Sequence, residues 1–207
     1  YPLAVLDGIL TYGNSSRLHR ALVETDLVAA LSSDYAPRRD PGWFAFYLTA
    51  RPGVPHQRIE DALTQALEQV RQEGVTDREL QKAINQVRAS LTMEYGSVSG
   101  LARAIGKLEM TVGHREFDQV FDKIRRVTAA DIQRAARTYF GTDRRTVGWF
   151  VPEGGPVSPR TPTGGRGSVH RMPALPAGLD AASSSGPAQG GPTVPAAGRV
   201  LRYILPN

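Results

Sequence analysis

The sequence contains no cysteine, which excludes disulfide bonds and thiolate metal ligands. No apolar run approaches the roughly 18 residues needed to cross a bilayer, and the first residues have neither the basic flank nor the small-residue cleavage site of a signal peptide. We therefore expect a soluble protein without a membrane partner. The sequence does not distinguish a periplasmic from a cytoplasmic location.

A concentrated basic surface is also missing. The formal net charge is +5, but the Lys and Arg residues are scattered among acidic neighbours and form no stripe with interleaved aromatic residues. Such a stripe is typical of nucleic-acid binding, so we expect no nucleic-acid partner. Steeply salt-dependent binding to DNA or RNA would contradict this expectation.

What is present is a globular composition, with 41% hydrophobic and 22% charged residues among 207. Apolar residues near the start recur at helical spacing up to Gly13, which is a plausible helix end. Ser15 or Ser16 is expected to cap a second helix. The apolar positions of these two predicted helices are Leu3, Leu6, Ile9 and Leu10, then Leu18, Ala21 and Leu22.

Two strands should follow and pair antiparallel. Residues 27–34 are short and partly apolar, and residues 43–50 alternate between two faces, with Phe44, Phe46 and Leu48 on one of them. A third strand is predicted at residues 145–151. Trp43 and Tyr47, on the other face of the second strand, are expected to pack on helices or on another domain.

Helices should fill the region between the second and third strands. Residues 59–70 are strongly amphipathic. Thr76 and Glu79 form a capping-box pattern that starts a second helix, with a break at residues 96–100. A further helix is expected near residues 117–124, and Thr128 with Asp131 repeats the capping pattern. We predict a two-layer α/β domain, a mostly antiparallel sheet with helices packed on one face.

The composition changes after Pro152. Residues 153–196 contain 9 Gly and 8 Pro among 44 residues, and such a segment cannot bury enough apolar surface to offset its ordering entropy. We expect residues 1–152 to form the domain, residues 153–196 a flexible linker, and residues 197–207 the first strand of a following domain. The chain begins within a predicted helix, so we expect the domain to be truncated at its N-terminus.

Three stretches have a distinctive order and spacing. They are residues 13–22, with Gly-Asn-Ser-Ser-Arg-Leu at its start; residues 74–83, Gly-Val-Thr-Asp-Arg-Glu-Leu-Gln-Lys-Ala; and residues 124–132, Ile-Arg-Arg-Val-Thr-Ala-Ala-Asp-Ile. Together they resemble the insulinase/pitrilysin family of inverzincin metallopeptidases. The resemblance implies the metallopeptidase fold of LuxS and the processing peptidases. It marks eight positions as structural signatures: Ser16, Arg17, Leu18, Thr76, Glu79, Leu80, Thr128 and Asp131.

The family builds its enzymes from four such domains in two halves, and its zinc site needs an H-x-x-E-H motif. Here His19, His56, His114 and His170 are far apart in sequence, and no such motif is present. The resemblance therefore implies a non-catalytic domain without catalytic, metal-binding or substrate-binding residues, and this chain alone is predicted to be inactive. Zinc is expected only in the full-length protein.

The resemblance also suggests where the domain belongs. In the family's last domain, an Arg and a Tyr anchor the substrate backbone, and the corresponding places here fall near Val23 and Ala29. This departure favours the C-terminal-type domain of the first half, followed by the linker between halves. Arg17 could reach a neighbouring domain or the substrate chamber, although pairing with a local carboxylate such as Glu24 or Asp26 is favoured.

The function implied is structural. The domain would form part of the chamber that encloses peptides in a zinc-dependent endopeptidase, with the adjoining domains of the same polypeptide as partners and the peptide as an indirect one. Two alternatives stay open: a scaffolding or peptide-binding subunit of an inactive family member, and an interaction module unrelated to proteolysis.

Overall fold

Six α-helices and four β-strands make up the described part of the chain. The computed structural model describes residues 1–35, 37–40 and 42–151 and the backbone of residues 197–204. The helices are α1 Pro2–Thr11, α2 His56–Glu73, α3 Asp77–Tyr95, α4 Val98–Thr111, α5 Val120–Arg125 and α6 Ala129–Tyr139. The strands are β1 Val28–Tyr35, β2 Trp43–Ala50, β3 Arg145–Trp149 and β4 Ala197–Ile204.

The strands form one antiparallel sheet in the order β1-β2-β4-β3. The antiparallel pairing of β1 with β2 was predicted and is confirmed, with Leu31 opposite Leu48. The last strand differs from expectation. We expected residues 197–207 to open a following domain, whereas Ala197–Ile204 lies between β2 and β3 in this sheet. An apolar, β-prone run shows that a strand forms but does not say which sheet it joins.

The main core lies between the helices and the sheet face that carries Phe44, Phe46 and Leu48, all of which are buried. Both phenylalanine rings contact Phe140, at centroid distances of 5.2 and 6.1 Å. Successive side chains of a strand point to opposite faces, and on the opposite face Trp43, Tyr47 and Thr49 are partly buried while the small Ala45 is buried. The predicted two-layer α/β arrangement with an antiparallel sheet is confirmed.

The helix starts agree closely with the sequence patterns. Thr76 and Thr128 each accept a bond from the backbone N–H three residues ahead, and Glu79 and Asp131 each accept one in return from the cap residue's N–H. The expected break after α3 is also present, because Ser97 caps a new helix. No helix among the described residues has both the length and the apolar character to span a bilayer.

One cap prediction was wrong, and one predicted helix differs in form. The helix expected after Gly13 is present at residues 17–23, with π-type bonding over His19–Val23, but no serine side chain caps it. Ser16 Oγ is instead buried and has no hydrogen-bond partner among the residues that the structure describes. The helix expected near residues 117–124 is split into a 3₁₀ segment, His114–Gln119, and the short α5. Neither the 3₁₀ segment nor α5 begins with a side-chain cap of the kind that starts α3 and α6.

Candidate functional site

A connected group of polar side chains joins the segment after α1 to the start of α3. The Arg17 guanidinium donates two hydrogen bonds to the Glu79 carboxylate, from Nε at 2.8 Å and from Nη2 at 2.9 Å. This two-pronged pairing fixes both side chains in orientation as well as in distance. Arg17 was expected to pair with a local carboxylate such as Glu24 or Asp26. The structure pairs it instead with a carboxylate 62 positions away.

Glu79 therefore serves two structures at once. Its carboxylate accepts the Thr76 backbone N–H at 2.9 Å, which completes the cap of α3, while it also binds Arg17. The Arg17 hydrogen bond and the Thr76 bonds hold the pKa of Glu79 down at about 2, although partial burial opposes the shift. The carboxylate is consequently ionised at neutral pH, and it can act as a permanent acceptor for both partners.

The remaining signature positions divide into buried residues and a second cap. Leu18, Leu80 and Ser16 are buried. Thr128 and Asp131 form the cap of α6, where bonds from Thr128 and Arg134 lower the pKa of the Asp131 carboxyl. The structure thus brings Arg17 and Glu79 together across two of the three signature stretches. The Arg17, Thr76, Glu79, Thr128 and Asp131 side chains all hold a helix start or a loop, whereas the Ser16 hydroxyl does not.

A shallow cleft of ≈ 300 Å³ lies beside this segment, between the helical turn and β1. Val23 and Ala29, the two places that the resemblance assigned to substrate anchors, both line it. His19 is the only imidazole among the residues lining it, and its Nδ1 lies 3.9 Å from Glu24 Oε1, which is too long for a hydrogen bond. The two positions that correspond to substrate anchors in the resemblance therefore carry apolar side chains in this cleft.

The three histidines that the structure describes do not form a metal site. His114 pairs with Glu109 at 2.7 Å on the surface, and His56 contacts the Trp149 ring at 4.2 Å. His170 lies outside the described residues. Within the part of the chain that the structure describes, no three His, Cys, Asp or Glu side chains are grouped closely enough to hold a metal ion. These residues do not fit a zinc site.

One buried charged group was missed by the sequence reasoning. Asp7, on α1, is 7% exposed and accepts hydrogen bonds from Ser33 Oγ at 2.6 Å and Thr11 Oγ1 at 3.1 Å. Tyr12 also bonds to this carboxyl. Burial raises the pKa of Asp7 to about 6 despite these bonds. The signal was available, since Asp7 is the only charged residue before Arg17 and lies within an apolar helix.

Comparison with known proteins identifies this arrangement. Residues 1–87 match the sequence model of the family described as Peptidase M16 inactive domain. This stretch is therefore similar to the inactive domain of peptidase M16 proteins. The match contains α1, both strands of the β1–β2 pair, α2 and the Arg17–Glu79 pair. The predicted resemblance to the insulinase/pitrilysin metallopeptidases is thereby confirmed.

Similar curated proteins are named as zinc proteases. An uncharacterized zinc protease of Streptomyces coelicolor is 29% identical over 143 residues, which are 68% of this chain and 31% of that protein. An uncharacterized zinc protease of Bacillus subtilis is 25% identical over 146 residues, 69% of this chain and 35% of that protein. The chain spans about a third of the length of these curated relatives.

Solved structures share the fold. A candidate zinc protease from Bordetella pertussis Tohama I is 27% identical, with a TM-score of 0.64, and the similarity covers 73% of this chain and 84% of that one. The inactive peptidase domain of a candidate zinc protease from Bordetella parapertussis has the same TM-score at 23% identity, over 75% and 85% of the two chains. The second similarity supports the fold alone.

Proposed function

We propose that this domain is the non-catalytic structural domain of a zinc-dependent endopeptidase, and that it forms part of the wall of a peptide-enclosing chamber. The family match to an inactive domain carries the proposal. The polar groups of the signature positions support it, because Glu79 and Asp131 are engaged in helix caps and Arg17 is engaged with Glu79. A rigid wall needs such internally paired groups rather than reactive ones.

We further propose that the domain is the C-terminal-type domain of the first half of that enzyme. The apolar Val23 and Ala29 in the cleft support this position, since neither side chain can hydrogen-bond a peptide carbonyl. The zinc ligands and the activating Glu would then lie on an adjoining domain of the same polypeptide. The curated relatives of this chain have room for such a domain, because they are about three times as long as the segment that matches.

Exposed apolar residues support such an adjoining domain. Met93 is 64% exposed and Met110 is 75% exposed, and Val98 and Val112 between and beside them are exposed as well. Contiguous exposed apolar patches are typical of a surface that another domain covers, so we propose that the end of α3 and α4, which carry Met93, Val98 and Met110, face that domain. Peroxide oxidation followed by mass spectrometry should modify Met93 and Met110 readily in this chain and slowly in the longer protein. Equal rates would contradict the assignment of this surface.

The function itself is tested by assaying the longer protein that contains this chain. Cleavage of quenched fluorescent peptides should depend on zinc and should be lost when the Glu of an H-x-x-E-H motif in the adjoining domain is replaced by Gln. This chain alone, given zinc and the same peptides, should be inactive. A degenerate motif with peptide binding but no cleavage would favour the scaffolding alternative, and zinc-dependent cleavage by this chain alone would refute the proposal.

A further inference from the structure

Strand β4 occupies an interior position of the sheet although it is the last element in sequence. All eight residues of β2, Trp43–Ala50, have register partners in Ala197–Ile204. On its other side, β4 pairs with every residue of β3, Arg145–Trp149. The strands β2 and β3 are not neighbours, so without β4 each would present an unpaired edge of backbone N–H and C=O groups to the other.

The covalent connection to β4 is much longer than its position requires. Trp149 is opposite Arg199, so continuing the antiparallel register brings residue 151 opposite residue 197. Two to five residues normally join such neighbouring strands, whereas 45 residues, 152–196, lie between them here. A covalent connection keeps β4 near the gap at an effective concentration, which falls as the connection becomes longer. The pairing itself is the same whichever copy supplies the strand.

We propose that the gap between β2 and β3 is a binding site for a separate extended strand, and that its occupant, residues 197–204, can be supplied by a second copy of this chain. The ligand class is an eight-residue strand that runs antiparallel to both neighbours and contains no proline. Proline would remove a ladder hydrogen bond at an interior position of a sheet. The segment Ala197–Ile204 contains none.

The register gives the site its sequence selectivity. Leu201 is opposite Phe46, which is fully buried, and opposite Val147, which is partly buried. Val200 is opposite the partly buried Tyr47 and the exposed Gly148. Directly opposed residues share a sheet face, and a slip of one residue would exchange the two faces. A charge at position 201 should therefore weaken binding much more than the same charge at position 200.

The test uses the full chain with a specific protease site introduced within residues 152–196. After cleavage, the C-terminal piece should still co-elute with the rest of the protein in gel filtration. A fluorescently labelled peptide of residues 196–207 should then displace it, as followed by anisotropy. The peptide with Leu201→Asp should bind at least tenfold more weakly than the peptide with Val200→Asp, which has the same charge.

Exchange between copies is tested with uncut chains. Two differently labelled populations, mixed at high concentration, should form dimers with energy transfer, and replacement of residues 152–196 by a four-residue turn should abolish it. Dimers that persist with the four-residue turn would refute exchange through β4. Immediate release of the piece on cleavage, unfolding of the remainder by circular dichroism, or equal weakening by the two aspartate peptides would each overturn the proposal.

Discussion

Asp7→Asn should remove a pH dependence of stability that originates in one buried carboxyl. The folded-state pKa of Asp7 is about 6, against a usual value of 3.8, and burial is the largest cause. A folded protein that binds a proton more tightly than its unfolded chain loses stability as pH rises between the two pKa values. The wild-type penalty is therefore absent below about pH 4, grows up to pH 6 and stays constant above it.

The size of this stability penalty follows from the difference between the usual pKa of 3.8 and the folded-state pKa of about 6. At about 1.4 kcal/mol per unit, the full penalty is roughly 3 kcal/mol, of which roughly 2 kcal/mol develops between pH 4 and pH 7. The variant should fold, because an amide oxygen at position 7 can still accept the hydrogen bonds of Ser33 and Thr11. The negative charge of Asp34 also raises the pKa of Asp7, so the measured pH dependence includes the contribution of Asp34.

Urea unfolding of wild type and Asp7→Asn at several pH values between 4 and 7.5 measures this directly. The free energy of unfolding of the variant minus that of the wild type should rise by roughly 2 kcal/mol from pH 4 to pH 7. Asp143→Asn, at a carboxyl whose side chain is 76% exposed, is the matched control and should show no such rise. A difference for Asp7→Asn that stays constant with pH would refute the reasoning.

Three other predictions concern stability. Arg17→Ala should lower the free energy of unfolding by about 1–3 kcal/mol, because it removes the charged partner of Glu79, and Arg17→Lys should restore only part of that loss because lysine lacks the two-pronged geometry. The control is Arg20→Ala, since Arg20 Nη2 lies 3.8 Å from Glu79 Oε1. An equal loss of stability in the control would contradict the role assigned to Arg17. Thr128→Ala should cost about 1 kcal/mol through the lost cap of α6, with Thr128→Ser close to neutral in the same urea titration. Replacing residues 152–196 by a four-residue turn should raise the free energy of unfolding by about 2 kcal/mol, since the loop-closure entropy scales with the logarithm of loop length. An unchanged midpoint of urea unfolding would contradict the pairing of β4 with β2 and β3 of its own chain.

Patterns that span a few residues predicted the structure well. The capping boxes at Thr76 and Thr128, the alternation of β2 and the apolar stripe of α2 each depend on neighbours within one element. Their physical causes, a cap bond or one buried face, are complete in the local sequence. The order of elements then sufficed to indicate the family.

Features that depend on distant parts of the chain could not be predicted. Arg17 finds Glu79 because α1 packs beside α3, and nothing near Arg17 indicates that neighbour. The position of β4 likewise depends on which strand edges are free in the folded sheet. Asp7 is buried because α1 also packs against β1, where Ser33 supplies a hydroxyl, and a helical pattern alone cannot supply that second partner.

The shared carboxylate of Glu79 makes two distant stretches respond as one. Loss of the first turn of α3 would release the guanidinium at position 17, and movement of the residues that follow α1 would in turn weaken that turn. Amide hydrogen exchange should therefore show residues 14–24 and 76–80 opening together, with matching protection factors, although more than fifty residues separate them along the chain.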